Sequence, residues 1–307
     1  MPLVINNPST DECSLADAAE GLATLGFDPR DEANLQEAAS WLRKLTKNRT
    51  FLGDYLVKRL SERLAGIENG VESGYGPQAI ILSPLLGNER GRMFLRANIW
   101  PARHDLCFQA SGAEHFVYGT PHDHNFSFLT SGYAGPGYVS DYYEYDYGEV
   151  VGIAGEAAGL RFVERSSLSQ GKLMLYRAHV DVHSQLPPEA LSVSLNVMHV
   201  DPAQGWFDQY GFDLEAGTVS RVLSPNASEA FLRVAVASGS DEALDFAEWA
   251  GRAHPSERLR LASFEARAGR LTEPEAREAL WCEAQRASGS RMVRAEAKVR
   301  LAKLTQP

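Results

Sequence analysis

The stretch His115-Phe-Val-Tyr-Gly-Thr-Pro-His122-Asp-His124-Asn-Phe-Ser-Phe-Leu-Thr-Ser-Gly-Tyr133 decides how the chain is read. It sets Phe, Val, Tyr, Leu and Thr, which favour strands, around the turn-forming Gly119-Thr-Pro121. On an extended strand, residues i and i+2 point to the same face. His122 and His124 can then aim two imidazoles at one point, with Asp123, Asn125 and Ser127 turned away. The same texture runs outward on both sides, from about residue 78 to 200. It includes AIILSPLL (79–86), MFLRANIWP (93–101), VSDYYEYDY (139–147), GLRFVERSS (159–167), KLMLYRAHVDV (172–182) and LSVSLNVMHV (191–200). Short runs rich in Val, Tyr and Phe, separated by Gly and Pro, predict a mainly β region over residues 76–220, an all-β sandwich or barrel. No long helical pattern interrupts it, which argues against a doubly wound α/β sheet.

Helical segments flank this region. In residues 1–75, Asp31–Thr46 opens on acids and closes near Arg43, Lys44 and Lys47, matching the helix dipole at both ends. Its Leu35, Ala38, Ala39, Leu42 and Leu45 recur at helical spacing. A second helix is predicted over Phe51–Ala65, and the Gly-rich run at residues 68–78 reads as a break. Residues 221–307 are rich in Ala, Glu, Arg and Leu and predict five short helices: Ser228–Val236, Asp241–Arg252, Ser256–Ala268, Glu273–Arg286 and Arg291–Leu304. They read as stacked helical hairpins suited to packing or oligomerisation, so a homo-oligomer is one expectation.

Composition narrows the function classes. The 307 residues carry a net charge of −10, so nothing draws the chain to phosphate backbones or anionic lipid, and neither nucleic acid nor a membrane is an expected partner. Cys13, Cys107 and Cys282 lie far apart, which excludes a disulfide framework and disfavours a zinc–thiolate site. Cys107 reads as a buried apolar residue. No apolar run approaches the ~20 residues needed to span a bilayer, and the first residues carry no secretory pattern. A cytoplasmic protein is therefore expected.

Seven of the eight histidines lie in the β region. Downstream of the first pair, Gly171 leads through Arg177 to His179 and His183, where one strand ends and another returns. Either histidine can supply a third imidazole from a neighbouring strand and complete a facial three-histidine site with open positions.

These motifs resemble the cupin superfamily. The His-x-His pair of its first motif matches His122 and His124, with Gly119 three residues ahead of them instead of six. The glutamate of that motif falls at Phe128 or Leu129, so the resemblance implies a three-histidine site similar to that of the thiol dioxygenases, which also carry His-Asp-His. In the second motif the spacing from Gly171 favours His183 over His179. It leaves His179 at the pocket rim. Arg177, Ala178 and His179 replace the family's Pro-x-Gly, and Pro187 stands where its asparagine is expected. The resemblance implies an antiparallel cupin-type β-barrel holding one mononuclear metal on His122, His124 and His183. It also implies an Fe(II), O2-dependent oxygenase or oxidase acting on a small, anionic, amino-acid-like or secondary metabolite. The same ligands accept Ni, Cu or Zn. Two other readings stay open: a redox-silent isomerase or hydrolase using Zn or Ni, and a non-catalytic scaffold whose helical C-terminal region binds a partner.

Several residues are candidates to line the pocket. Gln185, two residues beyond His183, is placed to hydrogen-bond oxygen bound at the metal. Arg96 and Arg177 sit in apolar runs, where a charge must be paired or face a cavity, and each can anchor a carboxylate or pair with an acid such as Glu144 or Asp181. Alternation puts Tyr143, Tyr145 and Tyr147 on one face and Glu144 on the other. Tyr143 is the candidate catalytic hydroxyl, with sheet packing as its plain alternative. Glu144 and His179 complete the candidate substrate-binding set.

Overall fold

The computed structural model describes residues 1–64, 78–224, 227–286 and 289–304; most of the predicted break at 68–78 lies outside them. The chain divides into two compact units. One comprises Met1–Tyr147, Ala158–Gln204 and Gly211–Thr218; the other comprises Gly148–Ala157, Gly205–Tyr210 and the chain from Val219 onward.

The first unit opens with β1 (Leu3–Val4) and three helices, α1 (Leu15–Leu25), α2 (Glu32–Lys47) and α3 (Phe51–Leu64). Ser14 caps α1 by accepting the Asp17 N–H, while the Asp17 carboxylate accepts the Ser14 N–H. The helix stops at Gly26, whose φ of +67° suits glycine. Asp31 caps α2 by accepting the N–H groups of Ala33 and Asn34. The α2 face predicted to be apolar is buried throughout, from Leu35 to Leu45.

Ten strands of the unit form two antiparallel sheets. The larger contains β1, β8 (Leu173–Tyr176), β5 (Phe128–Ala134), β10 (Ser192–Val200), β4 (Arg92–Trp100) and β2 (Ala79–Ile81) in that order, with β3 (Leu86–Gly87) also paired to β4. The smaller runs β7 (Arg161–Ser167), β6 (Val139–Glu144), β9 (Asp181–Leu186). Strand alternation sorts the side chains of the larger sheet into two layers. Met93, Leu95, Ala97, Leu129, Leu173, Leu175, Leu195 and Val197 share one hydrophobic cluster with α1 and α2. Trp100, Phe128, Met174, Tyr176 and Met198 turn the other way and pack with Tyr138 and Tyr142 at the smaller sheet.

The sheets do not close into the expected barrel. Among the described residues no ladder joins them; at the near edge β9 makes only single bridges, Tyr118 with Gln185 and His122 with His183. The larger sheet buries its outer apolar face under helices, so it stays a layer and has no need to curl on itself. More of the described residues lie in helices than in strands, so the mainly β expectation describes only the middle of the chain. A short α4 (Leu106–Ser111) interrupts that middle, and Cys107 on it is exposed rather than buried. The two-strand ladder of β11 (Tyr210–Asp213) and β12 (Thr218–Val222) follows.

The second unit is dominated by α5 (Ala227–Ser238), α6 (Asp241–Ala253), α7 (Glu257–Arg270), α8 (Pro274–Arg286) and α9 (Arg291–Leu304). Ser240 and Ser256 cap α6 and α7, and Pro274 takes the first position of α8, where its missing N–H costs nothing. Phe264, Leu280, Trp281, Val293 and Ala297 form one buried cluster of this unit, and Leu232, Val236, Ala247 and Leu259 form another. No helix among the described residues is long and apolar enough to cross a membrane.

Candidate metal centre

His122, His124 and His183 converge at the smaller sheet of the first unit, 5%, 8% and 2% exposed. One ligand-capable atom from each lies within 4.8 Å of those of the other two. His183 Nε2 and His122 Nε2 are 3.3 Å apart. Two nitrogens bound to one ion at ~2.0–2.1 Å, with an angle between ~90° and ~109°, sit ~2.8–3.4 Å apart, a range that includes this spacing.

The three side chains arrive by different routes. His183 stands on β9 opposite Tyr142 of β6. His122 and His124, expected on a regular strand, lie instead on irregular backbone: His122 makes one bridge with His183, through N–H···O bonds of 3.0 and 2.9 Å, and His124 belongs to no strand. His122 Nδ1 lies 2.7 Å from the Thr120 carbonyl. That carbonyl can only accept, so Nδ1 carries the proton and Nε2 presents its lone pair.

Burial lowers the pKa of all three imidazoles. Desolvation is the leading cause at each; His122 and His124 add to it at His183, and His122 and Arg96 add to it at His124. The rings are therefore neutral at pH 7, the form that binds a metal. His124 Nδ1 and His183 Nδ1 are buried with no hydrogen-bond partner. Three neutral imidazoles with ligand atoms this close together fit Fe(II), Ni, Cu or Zn and do not fit Mg or Ca, which demand oxygen.

Aromatic rings wall the site. The Tyr176 ring lies 4.9 Å from His183 and stacks on Phe128 at 4.6 Å, while Phe126 and Phe128 flank His124 at 5.1 and 5.0 Å. The Tyr142 hydroxyl meets that of Tyr176 at 3.1 Å, and desolvation raises both pKa values, so both phenols stay protonated. Gln185 Nε2 lies 3.2 Å from His183 Nε2, and its Oε1 is buried without a partner. Arg96 lies on the inner layer of β4, in register with Asn196, and its charge adds to the lowering of the His124 pKa that burial causes.

The other candidates fall elsewhere. Arg177 pairs with Asp181 at 2.6 Å and Glu144 at 2.9 Å, so the arginine and Glu144 neutralise each other. The amino group of Met1, 2.6 Å away, and Arg177 hold the Glu144 carboxyl below its ordinary pKa. Tyr143 occupies the face of β6 opposite Tyr142 and packs on Phe162 at 5.4 Å. His179 lies beside the cluster, 22% exposed, with its N–H bonded to the His124 carbonyl at 2.8 Å and burial lowering its pKa to about 4.

No family model matches this sequence, and no curated protein matches it. Among solved structures, the chain is similar to a salicylate 1,2-dioxygenase from Pseudaminobacter salicylatoxidans, at 12% identity and a TM-score of 0.24 over 48% of this chain. It spans only 32% of that dioxygenase chain. It is also similar to RmlC from Streptococcus suis in complex with dTDP-D-xylose, at 9% identity and a TM-score of 0.20, over 47% of this chain and 71% of that one. At such scores neither alignment carries weight for fold or chemistry, and the site stands on its own geometry.

The candidate site residues did not include Tyr142, whose hydroxyl meets that of Tyr176, nor Tyr145, whose hydroxyl meets Asp123. Strand parity separates Tyr142 from Tyr143, but only the pairing of β6 with β9 shows which of the two faces is the inner one.

Proposed function

We propose that this protein is a mononuclear non-heme Fe(II) oxygenase or oxidase that uses O2 on a small, anionic, amino-acid-like or secondary metabolite. The observation that carries this reading is the convergence of three neutral, buried imidazoles on one point. His122, His124 and His183 would hold the ion, and Fe(II) on three uncharged ligands keeps its full +2 charge and open positions for an anion and O2.

The chain's own residues then divide the work. Arg96 supplies the positive charge beside His124 and suits a substrate carboxylate. Asn98 Oδ1 shares the inner layer of β4 and, like Gln185 Oε1, is buried and unmet, so both suit an N–H or O–H of the ligand. Gln185 Nε2 holds a donor beside His183. Phe126, Phe128 and Tyr176 exclude water from the site. Arg177 and Glu144 are structural in this reading, because each is the other's partner.

The test is elemental analysis of anaerobically purified protein, followed by O2 uptake with small carboxylates and amino acids. About one equivalent of iron, absent from His183→Ala, supports the reading. Stoichiometric zinc or nickel without O2 uptake replaces it with a redox-silent isomerase or hydrolase. No metal after reconstitution with Fe(II) leaves the scaffold reading.

A further inference from the structure

The side of the two-histidine segment that faces away from the triad is as constrained as the side that faces it. Asp123 is fully buried there, and the Tyr145 hydroxyl donates to its Oδ2 at 2.6 Å. His179 Nδ1 lies 3.9 Å from the same oxygen, and the Tyr147 ring packs 4.2 Å from the His179 ring. His179 has a φ of +62°, a conformation L residues rarely adopt, and the turn it makes directs its N–H to the His124 carbonyl. Because His124 has no strand ladder, this backbone bond and the Tyr145–Asp123 bond tie down the residues that the ladder leaves loose.

The geometry points to Asp123 and Tyr145 as positioning residues of the metal centre, acting through the backbone of His122 and His124, with the left-handed turn at His179 as a second tie. The inference rests on the metal reading of the triad. Ligand nitrogens must be held to a few tenths of an ångström for one ion to satisfy all three, and an irregular segment keeps that precision only where it is anchored. Removing the Tyr145 hydroxyl takes a donor from a buried carboxylate, and the backbone passes any shift of that carboxylate to the histidines on either side. Partners of this kind typically account for 10–100-fold in metal affinity.

The experiment uses the full-length protein with Co(II) as probe, measuring affinity by chelator competition and ligand geometry by the visible spectrum. Tyr145→Phe is expected to weaken Co(II) binding ~10-fold and to alter the spectrum, with its circular dichroism unchanged. Asp123→Asn, which keeps an oxygen for Tyr145, is expected to retain more affinity than Asp123→Ala. His179→Gly, which adopts the positive φ freely, is expected to bind more tightly than His179→Ala. Wild-type affinity and spectrum in both Tyr145→Phe and Asp123→Ala overturn the inference alone. A wild-type protein that binds no Co(II) overturns it together with the metal reading.

Discussion

The histidine cluster and the helical second unit treat their polar groups in opposite ways, the one buried and the other half-exposed. In the second unit, charge meets charge: Asp208 with Arg258 at 2.5 Å, Glu265 with Arg300 at 2.6 Å, and Glu283 with Arg252 and Arg267. At the triad, neutral nitrogens crowd together, His124 Nδ1 and His183 Nδ1 have no partner, and Gln185 Oε1 has none either. Leaving buried polar atoms unmet costs stability. The unmet atoms at the triad lie side by side on neighbouring residues, whereas the charges of the second unit have partners across its helices.

The sharpest way to break this contrast is His183→Ala. We expect it to abolish stoichiometric metal, measured by elemental analysis, while thermal unfolding shows a folded protein; retained metal would remove the triad from function. Next in size, Phe264→Ala opens a cavity at a fully buried position of the second unit and is expected to cost about 3–5 kcal/mol in denaturant unfolding. Arg258→Ala removes the charged partner of the Asp208 carboxylate, which burial already pushes above its ordinary pKa. A loss of about 2 kcal/mol is expected, and a neutral result would mean that the ion pair is not holding the helices.

Acidification gives a graded test. His179 titrates near 6.5 when unfolded and at about 4 when folded, because burial disfavours its charged form. Between those values the unfolded state binds the extra proton, so the contribution is complete above pH 6.5 and is lost as pH falls toward 4. The melting temperature of metal-free protein should drop over that window, and His179→Asn should flatten part of the slope. The smallest effect is expected from Tyr143→Phe, on the outer face of β6: no change in metal content and a stability change within about 0.5 kcal/mol.

How far the sequence could be read followed how local the physics was. The predicted helix Asp241–Arg252 is observed as Asp241–Ala253, and Glu273–Arg286 as Pro274–Arg286, because caps and first-turn prolines act within a few residues of themselves. Helix α1 has no counterpart among the predicted helices, and its capping box, Ser14 with Asp17, uses an aspartate in place of the usual glutamate. Cys107 was misjudged because its apolar neighbours Leu106 and Phe108 belong to a short surface helix, on which Leu106 is itself exposed.

Local chemistry alone determined the helices of the second unit, the β texture of the middle and the two-histidine segment, while the preference for His183 over His179 rested on the resemblance to the cupin motif. Tertiary structure decided the rest. It left the sheets open under their helices, gave Arg177 to Asp181 and Glu144, turned Tyr142 inward and Tyr143 outward, and put Tyr145 behind Asp123. The physical reason is separation along the chain: His122 and His183 are 61 residues apart, and a one-residue slip between β6 and β9 would exchange every inward side chain for an outward one. A period of two shows that two faces exist, and only the packed sheets show which of them meets the histidines.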